Sequence, residues 1–207
     1  MSAEGVIKHH PASETLTAFA AGTLRAGFDF VTAVHVRGCS ECRAEVARLE
    51  ALGGVMIDSV EAAAPDTDAL ARIMARIEAP APASPSPRSM DQVLRVGKRR
   101  WVAPGVWTAK VETPHAKDDR VYLLSVAPGV EAALHTHRGA EFTQVLSGAL
   151  GDGTDVLEPG DFSERGPDHT HRPKVLGDAP CVCLFATQGR LTPKDLIGRI
   201  AFAIADV

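Results

Sequence analysis

Two groups of side chains in this sequence have the types and spacing to hold metal ions. In the first, His35, Cys39 and Cys42 fall within eight residues. Residues four apart lie one turn above each other on a helix, so His35 and Cys39 would share a face. Cys42 follows three residues later, at the predicted start of the next helix. Two thiolates and an imidazole so spaced suit tetrahedral zinc, and a closed structural site needs a fourth ligand. His9 and His10 are the only other histidines in this half. A redox reading of the Cys-x-x-Cys lacks the strand–helix–strand context of such motifs.

The second group is His135, His137 and Glu141, with His171 thirty residues further on. Positions two apart on a strand face the same side, so His135 and His137 can point together into a barrel interior. Glu141 follows a glycine-containing bend and opens an apolar run. His171 comes after Gly160 and Asp161, a turn that would start another strand. His169 would share a strand face with His171 and competes for its place. Three imidazoles and a carboxylate suit zinc, iron(II), manganese, nickel or copper, without choosing among them. His115, beside Pro114, reads as surface. Cys181 and Cys183 would face one side of a strand as small buried groups. Alternate positions on one strand are poorly placed for a disulfide.

The elements that must position these residues divide at one place. Residues 80–87 contain four prolines with Ala and Ser between them, a composition for an extended, solvated spacer. Before it, apolar residues recur at helical spacing. Leu16, Phe19, Ala20, Thr23 and Leu24 form one face, opened by Ser13 as N-cap and closed by Gly27. Residues 28–37 give a second helix. Ser40 caps a third, which carries Val46, Leu49 and Leu52 and fades at Gly53 and Gly54. Asp66 caps a fourth, with Leu70, Ile73, Met74 and Ile77 on one stripe. Four short helices bury little surface, so such a unit needs a metal or a partner. After the spacer, residues 121–126, 141–150 and 181–187 are strand-length runs. Turns at Pro128–Gly129, Ser147–Gly148, Gly151–Gly153 and Pro159–Gly160 separate them, as in a sandwich or barrel. The expected architecture is α + β with two domains: a small all-α zinc-binding unit (1–79), a Pro-rich linker (80–90) and an all-β barrel (91–207).

Composition narrows the function classes. The 207 residues carry 22 Lys+Arg against 26 Asp+Glu, and 45% are apolar. That is enough for a packed core, and it excludes wholesale disorder and a strongly basic nucleic-acid binder. No run is long enough to span a bilayer, and the first ten residues lack a signal-peptide core. The expectation is a cytoplasmic protein with no membrane or direct nucleic-acid partner, where four cysteines are not a disulfide framework. Residues 1–79 hold 7 Lys/Arg and 11 Asp/Glu, a net of −4, whereas the remainder balances at 15 of each.

A histidine near the N-terminus followed by His-x3-Cys-x2-Cys resembles the zinc-binding anti-sigma domain of bacterial anti-sigma factors. Residues 9–24 are similar in particular to the ChrR branch, in which the second histidine of the His-His pair is the ligand, here His10. His-x-His-x3-Glu, then Gly-Asp and a later histidine, resembles the two metal motifs of the cupin fold. The spacing of ChrR-like cupins places that histidine at His171, two before Pro173. The combined resemblance covers nearly the whole chain. It implies an N-terminal domain, with Zn2+ on His10, His35, Cys39 and Cys42, that blocks an ECF-type sigma factor from core RNA polymerase. The cupin domain, with Zn2+ or another divalent transition metal on His135, His137, Glu141 and His171, would serve the response to oxidants such as singlet oxygen. It could also take a small-molecule ligand.

In that reading inhibition is competition for surface, so no catalytic residue is assigned. The stripe on the fourth helix is then either core or a strip laid against the sigma factor. The rival reading is a metal-dependent cupin enzyme, a dioxygenase or isomerase, with a helical adaptor. A metal-storage or structural role would leave the sigma-domain resemblance unexplained. Metal analysis should find two ions per chain, one lost in His35→Ala and the other in His137→Ala; a chain binding fewer than two contradicts this.

Overall fold

A computed structural model describes residues 6–79, 95–113, 119–131, 134–136, 139–167 and 169–189, with backbone alone at 192–193. The expected linker, 80–90, lies outside the described residues. Four helices come first: α1 (Ser13–Ala20), α2 (Ala26–Gly38), α3 (Ser40–Asp58) and α4 (Ala69–Glu78). Strands follow as β1 (Arg95–Val96), β2 (Arg100–Ala103), β3 (Val106–Glu112), β4 (Asp119–Val126), β5 (His135–Thr136), β6 (Glu141–Ser147) and β7 (Ala149–Asp152). The rest are β8 (Asp155–Leu157), β9 (Phe162–Arg165), β10 (Thr170–His171), β11 (Lys174–Leu176), β12 (Cys181–Gln188) and β13 (Thr192–Pro193). The protein is therefore a helical unit followed by an antiparallel β unit, as expected.

The largest sheet has the order β1-β3-β4-β12-β6-β9, with β2 also on β3. Two three-stranded sheets, β10-β5-β13 and β11-β7-β8, complete the β unit. One core lies between the large sheet and β11-β7-β8, where Val145, Cys181 and Cys183 pack with Leu157 and Val175. The opposite face of the same sheet is covered by α2. There Phe28 and Val31 share a core with Val111, Val121, Phe142, Phe162, Leu184 and Ala186. The Phe28 and Phe142 rings meet edge to face at 4.7 Å. A third core, Leu16, Phe19, Val36, Cys39, Cys42 and Val46, joins α1, α2 and α3. The helices thus find part of their burial on the β unit.

Asp119, at the start of β4, holds the first turn of α2. Its carboxylate accepts from the Gly27 amide at 3.0 Å and from Arg25 Nε at 2.7 Å. A negative charge at a helix N-terminus is favourable. Gly27 belongs there because a Cβ would come within 2.6 Å of Asp119 Cβ. The expectation that Gly27 closes the first helix is therefore corrected: α1 ends at Ala20, and Gly27 lies in the first turn of α2 at a close approach. Ser13 is the first residue of α1, not its cap.

Two other boundaries differ. The third helix runs through Gly53 and Gly54 to Asp58; each glycine costs about 1 kcal/mol against alanine, too little to stop a helix already under way. Leu52, which the apolar period of this helix includes, is exposed. The run 141–150 is two strands, broken at Gly148, where φ is +75°. Among the described residues, no helix is long and apolar enough to cross a membrane.

Phe28→Ala should destabilise the chain by about 3–5 kcal/mol, the usual cost of emptying a buried phenylalanine site. Chemical denaturation followed by far-UV circular dichroism measures it; a loss near zero would mean that α2 does not depend on the sheet.

Candidate metal centres

The first cluster is assembled from three segments. His10 lies in the extended chain before α1, His35 in the last turn of α2, and Cys39 and Cys42 at the α2–α3 junction. The Cys39 Sγ accepts from the Cys42 amide at 3.5 Å, so this cysteine, not Ser40, caps α3. His10 Nδ1 is 3.5 Å from Cys39 Sγ and 3.4 Å from Cys42 Sγ, and His35 Nε2 is 3.3 Å from Cys42 Sγ. All four donor atoms lie within 4.8 Å of one another. Bonds of about 2.3 Å to sulfur and about 2.0 Å to nitrogen give a tetrahedral edge of roughly 3.5 Å. The donor set and its spacing fit one tetrahedral ion.

Burial lowers the pKa of His35, although hydrogen bonds from its ring to Gln144 and Gly160 work the other way. The neutral ring is the form that ligates a metal. Burial, with the neighbouring Cys39, pushes the Cys42 thiol up to about 12. A cation reverses that preference, so metal binding here must release protons. His9, the other member of the His-His pair, is half-buried, its Nδ1 3.2 Å from Asp161 Oδ2.

The second cluster lies inside the β unit. His135 and His171 pair across β5 and β10, which sets their rings 4.5 Å apart. Their Nε2 atoms are separated by 3.0 Å, and Glu141 Oε1 lies 3.9 Å from His171 Nε2. His135, Glu141 and His171 form one group whose donor atoms are close enough to share an ion. His137 and His115 lie outside the described residues. His169 is exposed and sits with Asp152 and His171 in a second possible grouping, its ring 5.1 Å from that of His171.

Asp152 is a residue that sequence reasoning missed. Both of its carboxylate oxygens lie 3.0 Å from His171 Nδ1, and Arg165 Nε donates to it at 3.0 Å. Nδ1 therefore carries a proton, and Nε2 is the nitrogen turned toward His135 and Glu141. Carboxylate partners of this kind orient metal-binding histidines. Burial works to raise the Asp152 pKa, but the contacts with His171 and Arg165 outweigh it and hold the carboxyl at about 2. Glu141 moves oppositely: burial, reinforced by repulsion from Asp152, pushes it up to about 8. A buried carboxyl beside two imidazoles is a site whose charge a divalent cation would complete. The only signal for Asp152 was its place between two turn glycines, which reads as a turn residue; instead it ends β7. Cys181 and Cys183 are buried in the adjoining core with their Sγ atoms 3.6 Å apart.

Comparison with known proteins points the same way for both halves. The family model described as the ChrR cupin-like domain matches residues 89–191. The chain is 34% identical over 195 residues to the anti-sigma-E factor ChrR of Cereibacter sphaeroides, covering 89% of this chain and 92% of that protein. It also matches a chain in the crystal structure of Rhodobacter sphaeroides SigE in complex with the anti-sigma ChrR. That match has a TM-score of 0.74 and 34% identity, over 87% of this chain and 99% of the other.

Asp152→Ala should weaken metal retention in the β unit about 10–100-fold, the usual cost of removing an outer partner of a ligating histidine. Chelator competition on the purified chain reads this out; unchanged retention would mean that His171 needs no such support.

Proposed function

The chain belongs to the ChrR family of anti-sigma factors, and on that premise we propose that it binds an ECF-type sigma factor through its helical unit and withholds it from core RNA polymerase. The observation that carries this reading is α4. Leu70, Ile73, Met74 and Ile77 lie on one side of it, and none is buried; Leu70 and Ile77 are each 71% exposed. The end of α3 adds Val55, Met56 and Ile57, also exposed. Apolar helix faces left bare in this way are suited to an apolar groove on a protein partner. The sequence left the α4 stripe as either core or contact strip, and its exposure supports the second.

Residues 1–79 would form the sigma-binding unit and 91–207 the cupin unit, joined by 80–90. His10, His35, Cys39 and Cys42 would hold Zn2+, whose bonds would tie the N-terminal segment, α2 and α3 together at one point. His135, Glu141 and His171, with His137, would hold Zn2+ or another divalent transition metal. Asp152 and Arg165 keep His171 in the orientation to ligate. Inhibition by occupying surface needs no bond to be made or broken. The cupin unit would receive the oxidative signal that frees the sigma factor in the cytoplasm, where transcription takes place.

Ile73→Asp together with Ile77→Asp should weaken binding to the cognate ECF sigma factor at least about tenfold, because charge would enter an apolar contact. The melting temperature should stay close to wild type, since neither residue is buried. Co-purification and titration with that sigma factor test it; full binding by the double variant, or none by the wild-type chain, would sink the reading.

A further inference from the structure

Gln144 is out of character where it stands. It is 3% exposed on β6, on the same side as Phe142, and faces α2, whose Phe28 and Val31 pack there with Phe162 of β9. An amide buried there is costly unless it is hydrogen-bonded. Its Nε2 donates to the Val145 carbonyl at 3.0 Å, which fixes the side chain and leaves Oε1 pointing at His35. His35 Nδ1 lies 3.0 Å from that oxygen and 3.0 Å from the Gly160 carbonyl. Both partners can only accept, so Nδ1 carries the proton. Nε2 then presents its lone pair toward Cys42. The Phe162 ring packs edgewise on the imidazole at 5.3 Å and closes the remaining side.

The same turn of the β unit also holds the chain beside His10. Asp161 Oδ1 accepts from the Lys8 amide at 2.7 Å and the His9 amide at 3.0 Å, and the Phe162 amide donates to the His9 carbonyl at 3.0 Å. Gly160 has φ +98°, and a Cβ there would come within 2.8 Å of Ile7. Glycine thus gives this turn its positive φ and leaves room for the Ile7 side chain against it.

We propose that the cupin unit supplies the outer shell of the N-terminal metal site: Gln144 and the Gly160 carbonyl orient His35, and Asp161 fixes the segment that carries His10. This rests on the reading that His10, His35, Cys39 and Cys42 hold a metal. It adds that two of these four ligands are positioned by residues more than a hundred positions away. Gln144 and Asp161 act on the metal through the ligands and do not touch it. Metal affinity at the helical unit is then a property of the intact chain.

Cobalt(II) titration of the full-length chain reads this site through its thiolate-to-metal charge-transfer band, and loss of the band in Cys39→Ser with Cys42→Ser assigns it to these two thiols and not to Cys181 and Cys183. Gln144→Met keeps the length of the side chain and removes the acceptor. It should weaken cobalt binding about 10–100-fold, and zinc competition should show the same loss. Gln144→Glu restores an acceptor and should return the affinity close to wild type, which a merely structural role would not require. Asp161→Ala should also weaken binding, and it decides the matter if Gln144→Met does not fold. Folded variants that bind cobalt as tightly as wild type would overturn the proposal. A wild-type chain without the charge-transfer band would instead overturn the metal-site reading beneath it.

Discussion

Between α2 on one side and β11-β7-β8 on the other, the middle of the large sheet has no face left for water. β6 shows this most clearly: Glu141, Phe142, Thr143, Gln144 and Val145 are all buried in succession. Phe142 and Gln144 face the helices, while Val145 packs in the core beneath the other face and Glu141 joins the second metal cluster. Strand β12 divides the same way, with Leu184 and Ala186 toward α2 and Cys181 and Cys183 toward the inner core. A two-sided sheet of this kind sets the position of everything around it. The helices can sit in only one place if Phe28 is to meet Phe142, and each buried polar side chain must find its partner on its own side.

The polar residues that this burial encloses are the chemistry of the molecule. At the helical cluster, His35 is driven toward its neutral form and Cys42 toward its thiol. At the other cluster, Glu141 is driven toward its acid form while Asp152 stays ionised against His171 and Arg165. Both sets of donors are desolvated, convergent and short of positive charge. A divalent cation would offset the missing charge, and metal binding and folding would then be parts of one equilibrium at each site.

How much of this was legible depended on whether a residue belonged to a spaced pattern. His35, Cys39 and Cys42 announce themselves through intervals of four and three, and His135 with Glu141 through a six-residue interval ending in a carboxylate. Strands β4, β6 and β12 were legible from their apolar runs, and the helices from their period. Gln144 and Asp152 were not. A lone amide inside an apolar strand and a lone carboxylate among turn glycines carry no interval, and their roles exist only after distant segments meet. The helix boundaries failed for a related reason: Gly27 and Gly53 have the same local preferences, yet one is required by contact with Asp119 and the other meets nothing within 4 Å. The contact between helices and sheet was unreadable for the same cause, since Phe28 and Phe142 are each simply apolar until they touch.

Strand β6 has one more consequence. Glu141 and Gln144 are three residues apart and so lie on opposite faces, one at each metal cluster. Sliding the strand by a single residue would turn both to the wrong side at once. A chain folded in the shifted register could complete neither cluster, while the correct register completes both. Two ions bound far apart in sequence would therefore proofread the alignment of one seven-residue strand.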